Sequence, residues 1–151
     1  MVTENFPDSF ADVLGGVQRL IRRRLRAGMT EPRLRGAQVE LLWLVMARPG
    51  IRVSAAAKEL YLAGNSVSTL VNQLVKAGYL HRETDPGDRR SGLLTATPAA
   101  EARLREWRAR RGALVREQVA RLSEDERAAL AAAVPALRKL AENLHEEVDG
   151  L

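Results

Sequence analysis

The sequence of 151 residues contains no cysteine. Disulfide bonds, thiolate zinc sites, iron–sulfur clusters and thiol-based redox sensors are therefore excluded. Histidine is scarce as well, since only His81 and His145 are present and they lie far apart along the chain. The sequence has no glycine-rich phosphate loop, no nucleophile elbow and no metal-ligand spacing. These absences predict a protein that is not an enzyme and that uses neither a metal nor a cofactor.

Aromatic residues and long apolar runs are also few. Phe, Trp and Tyr make up 4% of the chain, whereas hydrophobic residues make up 46%. The core must therefore come mainly from Leu, Val and Ala, which favours helices. No apolar run approaches the roughly 18 residues of a membrane span, and residues 1–10 lack the basic group of a secretory signal. We expect one compact, soluble subunit in the cytoplasm.

The formal charge of +5 is distributed unevenly along the chain. Its parts are +2 in residues 1–30, +3 in 31–97, +4 in 98–121 and −4 in 122–151. Basic surfaces raise the expectation of a nucleic-acid partner, because neutralising phosphates releases counterions. Five arginines of the first segment have two interpretations, a solvated helix end or direct contact with DNA: Arg19, Arg22, Arg23, Arg24 and Arg26.

Apolar spacings of three and four predict amphipathic helices at both ends of the chain and a helix-turn-helix between them. The helix-turn-helix consists of two short helices, over residues 55–62 and 66–77. Ser54 is the expected N-cap of the first helix, and its Leu60 and Tyr61 are expected to be buried. Gly64 is expected to take a positive φ in the turn, and Gly78 to end the second helix.

A two-stranded β wing is predicted directly after the helix-turn-helix. Residues 79–84 and 91–96 are the expected strands, joined by a turn with proline and glycine at its centre. Thr97 and Pro98 then suit the N-cap and first position of a long helix. Ser123 and Glu126 form a capping box for the last helix. The fold class is mainly α with a small β wing, a winged helix-turn-helix plus terminal helices.

Three segments carry a more specific resemblance. They are Gly78-Tyr79-Leu80-His81-Arg82, Asp85-Pro86-Gly87-Asp88-Arg89-Arg90-Ser91 and Thr97-Pro98. In these segments and in its order of helices, the sequence resembles the MarR family of winged-helix transcriptional regulators. The resemblance implies a homodimer with dimerisation helices at 8–27 and 98–148 and a DNA-binding region at 35–97. It also implies binding to pseudo-palindromic duplex DNA, and we expect a repressor. The alternative is that the terminal helices pack within one chain.

The resemblance also implies which residues face the DNA from the recognition helix. They are Asn65, Ser66, Ser68, Thr69, Asn72, Gln73 and Lys76. Many relatives carry arginine where this chain has Thr69 and Gln73, so arginine–guanine contacts are lacking here. Asn and Gln can pair bidentately with adenine. We therefore expect a half-site read at A·T pairs, with the two serines used partly on phosphates.

In the wing, the resemblance assigns DNA contact to Asp88, Arg89, Arg90 and Ser91. One interpretation pairs Asp88 with Arg90 inside the wing and directs Arg89 into a narrow minor groove. The other has both arginines on the DNA.

The family often binds small phenolic or aromatic anions between its dimerisation helices and the winged helix. The candidate pocket residues here are Arg22, Trp43, Met46, Tyr61 and Trp107. Core packing is the alternative for each of them. For the protein as a whole, the alternative function is a winged helix used for protein contact without sequence-specific DNA binding.

Overall fold

The computed structural model describes residues 5–28 and 33–149, except for the side chains of residues 89–91 and 146–149. The elements in chain order are α1 (Phe6–Arg26), α2 (Gly36–Ala47), β1 (Ile51–Arg52), α3 (Val53–Glu59), α4 (Gly64–Lys76), β2 (Leu80–Asp85), β3 (Asp88–Ala96), α5 (Pro98–Val119) and α6 (Glu124–Asp149). The fold class predicted from the sequence is confirmed.

The core lies in the winged helix, between α2, α3, α4 and the sheet. Each helix presents an apolar stripe to it at helical spacing. The fully buried larger side chains are Leu41, Leu42, Val45, Val67, Val71, Leu74, Leu80, Leu94 and Leu104. Aliphatic side chains thus fill this core without an aromatic residue among them, as the composition predicted.

The wing belongs to a three-stranded antiparallel sheet of order β1-β3-β2. Pro86 and Gly87 form the turn between β2 and β3, and Asp85 pairs with Asp88 across it. The register shifts next to this pair, because Thr84 pairs with Gly92. Residues 89–91 therefore form a bulge at the tip of the wing, where the sequence has its two adjacent arginines.

The predicted helix caps of α5 and α6 are confirmed. The Thr97 hydroxyl accepts a hydrogen bond from the Ala100 N–H at 3.2 Å and donates one to the Gly78 carbonyl at 2.7 Å. The start of α5 is thereby fastened to the end of α4. Ser123 Oγ accepts from the Glu126 N–H at 3.1 Å, and the Glu126 carboxylate accepts from the Ser123 N–H at 2.8 Å.

The turn of the helix-turn-helix differs from the sequence prediction in three respects. Ser54 lies inside α3, which begins at Val53 after Arg52 in the N-cap position. Gly64 is the first residue of α4, whereas Tyr61 takes the left-handed conformation with φ 54°. Tyr61 is also 63% exposed rather than buried. The chain needs one left-handed residue to reverse direction after α3, and a four-residue connection places it at Tyr61. Gly78 has the predicted positive φ.

The terminal helices leave much of their apolar surface uncovered. Helix α1 packs on α5, and α5 and α6 continue without interruption past Gly112 and Pro135. The exposed large apolar side chains of α1 are Phe6, Val13, Leu14, Val17 and Leu20. Those of α6 are Leu130, Val134, Leu137, Leu140 and Leu144.

Candidate nucleic-acid interface

The exposed face of α4 is polar and almost uncharged. Val67, Val71 and Leu74 fasten the opposite face to the core. The predicted recognition residues that are exposed are Asn65, Ser66, Thr69, Asn72, Gln73 and Lys76. Ser68 is half-buried, so its expected outward position is only partly met. Lys76 in the last turn is the one charged residue of this helix.

Two of these polar side chains are engaged within α4. Thr69 Oγ1 donates a hydrogen bond to the Asn65 carbonyl at 3.0 Å, one turn earlier. Asn65 Oδ1 accepts from the Ser66 N–H at 2.9 Å. Both contacts are local, so they hold the side chains close to the helix without preventing access to its outer face.

Gln73 is held by a neighbouring helix. Its Oε1 accepts a hydrogen bond from Gln38 Nε2 of α2 at 3.0 Å. Gln38 Oε1 accepts from the backbone N–H of Arg35 at 2.8 Å. The sequence prediction missed Gln38, because the contact spans 35 residues and depends on the packing of α2 against α4.

An ion pair joins the base of the wing turn to β1. The Asp85 carboxylate pairs with Arg52, and its Oδ1 accepts from the Gly87 N–H at 2.9 Å. The hydrogen bond from the Gly87 N–H is the largest cause of the lowered pKa of Asp85; desolvation, the next largest, opposes it, and the charge and hydrogen bond of Arg52 lower the pKa further. These contacts set the shape of the turn that precedes the wing tip.

The side chains of Arg89, Arg90 and Ser91 lie outside the described residues. Their assignment to DNA, and the proposed pairing of Asp88 with Arg90, therefore stay predictions. The backbone places all three residues in the bulge of β3, at the end of the wing farthest from the core.

A cavity of about 530 Å³ lies between α1, α2 and α5. Its walls carry five arginines, Arg22, Arg26, Arg33, Arg103 and Arg111, against one acidic residue, Glu40. Trp43 and Trp107 also line it, each with an arginine stacked on its ring. The Arg108 guanidinium lies 5.2 Å from the centre of Trp43, and that of Arg111 lies 4.7 Å from Trp107. The cavity is thus aromatic and strongly basic, and its size suits a small ligand.

Three of the five predicted pocket residues, Arg22, Trp43 and Trp107, line this cavity. The other two, Met46 and Tyr61, do not line it. Met46 packs against the hydrophobic core, and Tyr61 is in the turn before α4.

The sequence prediction also missed Arg103 and Arg111. A signal for them was present, because Arg103, Trp107 and Arg111 are spaced by four and share one face of a helix. Arg103 is only 8% exposed, and its Nη1 donates a hydrogen bond to the Tyr79 hydroxyl at 2.6 Å. The cavity is therefore in direct contact with the residue that precedes β2.

Comparison with known proteins agrees with this geometry. Residues 34–91, which include the helix-turn-helix and most of the wing, match the model of the MarR family. The match covers the winged-helix region, and there the resemblance to the MarR family seen in the sequence is confirmed. Members of this family are transcriptional regulators rather than enzymes. No curated protein matches the sequence.

Solved structures of similar fold cover almost the whole chain. FabT of Streptococcus pneumoniae in complex with DNA has 22% identity and a TM-score of 0.70, over 95% of this chain and 99% of that chain. A MarR family protein from Bacillus stearothermophilus has 17% identity and a TM-score of 0.75, over 95% and 99%. PcaV of Streptomyces coelicolor, in complex with its natural ligand, has 21% identity and a TM-score of 0.59, over 93% and 97%. At these identities the similarity establishes the fold.

Two properties of the described residues bear on other kinds of site. Within residues 5–28 and 33–149, no group of three or more acidic or histidine side chains could hold a metal ion. None of the helices in these ranges is sufficiently long and apolar to cross a membrane.

Proposed function

We propose that the protein is a sequence-specific regulator of transcription that binds duplex DNA through α4 and the wing. The observation that carries the proposal is the polar, exposed face of α4, held by a rigid aliphatic core beside a wing whose tip has adjacent arginines. Uncharged amides can read base edges, while the arginines supply attraction to phosphates. The DNA complex of FabT, which has the same fold, supports this assignment. Binding to DNA is also consistent with the cytoplasmic location expected from the sequence.

The proposal includes a homodimer formed by α1 and α6. Soluble monomers rarely expose a contiguous apolar stripe as long as the one on α6. Its leucines and valines recur at spacings of three and four, which suits a helix packed along a second helix. A two-fold dimer would place two copies of α4 about 10 base pairs apart on one side of the duplex.

The basic cavity is the proposed site of a small aromatic anion that weakens DNA binding. Its tryptophans offer ring surfaces, and its arginines offer charge-assisted hydrogen bonds to a carboxylate. The ligand complex of PcaV supports this function for the fold. Repression is the expected effect on transcription. A ligand that releases the protein from DNA would then restore expression.

Selection of random duplexes with the purified protein tests the DNA-binding function. We expect enrichment of a pseudo-palindrome with half-site centres about 10 base pairs apart. Affinity should fall steeply with salt, and Asn72→Ala should reduce selectivity. Failure to enrich any sequence, together with the lack of salt-dependent retention on duplex DNA, would instead support a protein-contact function.

Addition of benzoate to the selected complex tests the ligand site. Benzoate should quench tryptophan fluorescence and release DNA, whereas neutral benzamide should do so only at much higher concentration. Trp107→Leu should lose both responses while DNA binding remains. Equal effects of benzoate and benzamide would contradict the role of the cavity arginines.

A further inference from the structure

The recognition helix itself brings little positive charge to the proposed interface. Lys76, in the last turn, is the one charged residue of α4. More than half of the hydrogen bonds between proteins and DNA go to phosphates and sugars, and neutralised phosphates supply much of the affinity. Elements beside α4 are therefore expected to provide cations, as the wing does with its two arginines. The start of α2 is such an element.

A hydrogen-bonded bridge joins the start of α2 to the outer face of α4. Gln38 Oε1 accepts from the Arg35 N–H at 2.8 Å, and Gln38 Nε2 donates to Gln73 Oε1 at 3.0 Å. A single carboxamide group thus separates the Arg35 backbone from an exposed side chain of the recognition helix. Arg35 therefore lies beside the surface that we propose to contact base edges.

The charge of the Arg35 side chain is exposed and is not compensated within the described chain. Among the residues that the structure describes, its guanidinium has no hydrogen-bond or ion-pair partner. Two other arginines of the winged helix differ in this respect. Arg48 pairs with Glu59 at 2.9 Å. Arg52 pairs with Asp85. The charge of Arg35 is therefore available to an anion outside the chain.

The basic cavity does not account for Arg35. The walls of the cavity include the neighbouring residues Arg33, Leu34 and Gly36, but they do not include Arg35. The exposed side chain of Arg35 thus lies on a different surface from that of Arg33. A small anion bound in the cavity is consequently not the partner of Arg35.

The local structure does not account for an arginine at this position either. Arg35 is the N-cap residue of α2, where Ser, Thr, Asp and Asn are preferred because their oxygens accept from the first N–H groups of a helix. A guanidinium can only donate, and the helix dipole disfavours a cation at the start of a helix. The arginine therefore weakens the start of α2 in the free protein, and an external anion beside it would offset this effect.

We propose that Arg35 is a phosphate-binding residue of the DNA interface. The inference rests on the proposed DNA-binding function and adds to it a residue outside the helix-turn-helix and the wing. The Gln38 bridge holds the Arg35 backbone close to Gln73, so the phosphate belongs to the DNA backbone next to the base pair that Gln73 faces. Arg35 thereby supplies charge that α4 lacks and takes no part in the choice of base.

The variant Arg35→Gln tests this role without breaking the bridge, because Gln38 is hydrogen-bonded to the backbone N–H of residue 35. The slope of log K against log salt should fall by about one unit per bound subunit. One unit of slope corresponds to about tenfold between 1 M and 0.1 M salt, so affinity at 0.1 M should fall about tenfold per bound subunit. The preferred operator sequence should stay the same. The midpoint of thermal unfolding should not fall, since no contact within the described chain is lost.

A scan of neutral methylphosphonate linkages locates the phosphate. Each linkage of the selected operator is replaced in turn, and the affinities of the unmodified protein and of Arg35→Gln are compared. A linkage within about two nucleotides of the base pair that Gln73→Ala makes indifferent should weaken binding of the unmodified protein about tenfold. The same linkage should change the affinity of Arg35→Gln by less than about twofold, because the contact is already absent.

Lys139→Gln is the control for loss of charge. It removes one positive charge from α6, which is outside the proposed DNA-binding elements, and should leave the salt slope and the linkage pattern unchanged. Should Arg35→Gln fold poorly, Arg35→Ser keeps the backbone N–H, introduces a preferred N-cap residue and gives the same test.

An unchanged salt slope in Arg35→Gln would overturn the inference. So would linkage effects that are the same in both proteins, or a linkage specific to Arg35 that lies far from any base pair affected by Gln73→Ala. These results would leave selective DNA binding intact, whereas the absence of selective binding to any duplex would overturn the DNA-binding function as well.

Discussion

The Arg103 guanidinium donates a hydrogen bond to the Tyr79 hydroxyl at 2.6 Å and lies 5.3 Å from the centre of the same ring. Arg103 lines the basic cavity, and Tyr79 immediately precedes β2. The Tyr79 carbonyl also accepts a hydrogen bond from the Thr97 N–H at 3.1 Å, at the start of α5. One pair of side chains therefore joins the wall of the cavity to the base of the wing.

Removal of the Tyr79 hydroxyl should weaken this junction. Tyr79→Phe should lower the free energy of unfolding by about 1 kcal/mol, because it deletes a hydrogen bond with a charged donor in a partly buried place. Urea denaturation measures the change. The matched control is Tyr61→Phe, which deletes a hydroxyl from an exposed ring and should have no measurable effect. Equal stability of the two variants would contradict a structural role of the Arg103–Tyr79 contact.

The left-handed residue in the turn of the helix-turn-helix should limit stability. Tyr61 has φ 54°, a conformation that costs an L-residue about 1–2 kcal/mol relative to glycine. Tyr61→Gly should therefore raise the free energy of unfolding by about 1 kcal/mol, since the exposed ring contributes little packing. Gly78→Ala, at φ +83°, should lower stability by a similar amount. Destabilisation by Tyr61→Gly in thermal unfolding would show that the ring makes a larger contribution than its exposure indicates.

The lowered pKa of Asp85 gives the wing a defined response to acid. The folded state favours the ionised carboxylate, so this stabilisation is present above the ordinary pKa of 3.8 and is lost as the pH falls through the lower, folded value. Carboxyl NMR titration should give a midpoint below 3.8 for Asp85. Arg52→Ala should raise that pKa only part of the way, because the Gly87 N–H is the larger cause. A midpoint at or above the ordinary value would contradict the observed hydrogen bonds.

Contact of Arg89 with DNA should be visible in the salt dependence of binding. If Arg89 neutralises one phosphate equivalent, Arg89→Ala should reduce the slope of log K against log salt by about one unit. Lys139→Ala removes one positive charge from α6, which is outside the proposed DNA-binding elements, and should leave the slope unchanged. An identical slope for the unmodified protein and Arg89→Ala would exclude the minor-groove role.

The uncovered stripe of α6 should be required for dimerisation. The double variant Leu137→Glu/Leu140→Glu should halve the mass measured by light scattering, because burial of two carboxylates in an apolar interface is costly. Circular dichroism should show that the variant keeps its helices. Ala132→Glu introduces a carboxylate on roughly the opposite side of the same helix and should leave the mass unchanged. A monomeric mass for the unmodified protein would contradict the proposed homodimer.

Much of the winged helix could be predicted from local sequence. The capping residues Thr97 and Ser123 and the terminating Gly78 lie where predicted, because the hydrogen bonds and backbone conformations that they supply involve residues within a few positions. The turn at Tyr61 could not be placed in this way. Gly64 has the greater intrinsic freedom, but the packing of α3 and α4 determined which residue takes the left-handed conformation.

The candidate sites divide in the same manner. The family resemblance pointed to Asn72 and Gln73 as outward residues of the recognition helix, and to the two tryptophans as candidate pocket residues. Met46 and Tyr61 do not line the basic cavity, because Met46 packs against the hydrophobic core and Tyr61 lies in the turn before α4. The role of Gln38 depends on where α2 crosses α4, which no local pattern encodes.

By itself, the sequence determined the chemistry that this protein lacks, the order of its elements and the polar character of its recognition helix. These properties follow from residue identity and from short-range periodicity. The tertiary structure decided which arginines surround the cavity and that one of them, Arg103, contacts Tyr79 at the base of the wing. It also decided which end of the Gln73 side chain faces outward. The latter depend on distances between residues that are remote in sequence, and only the packed core defines those distances.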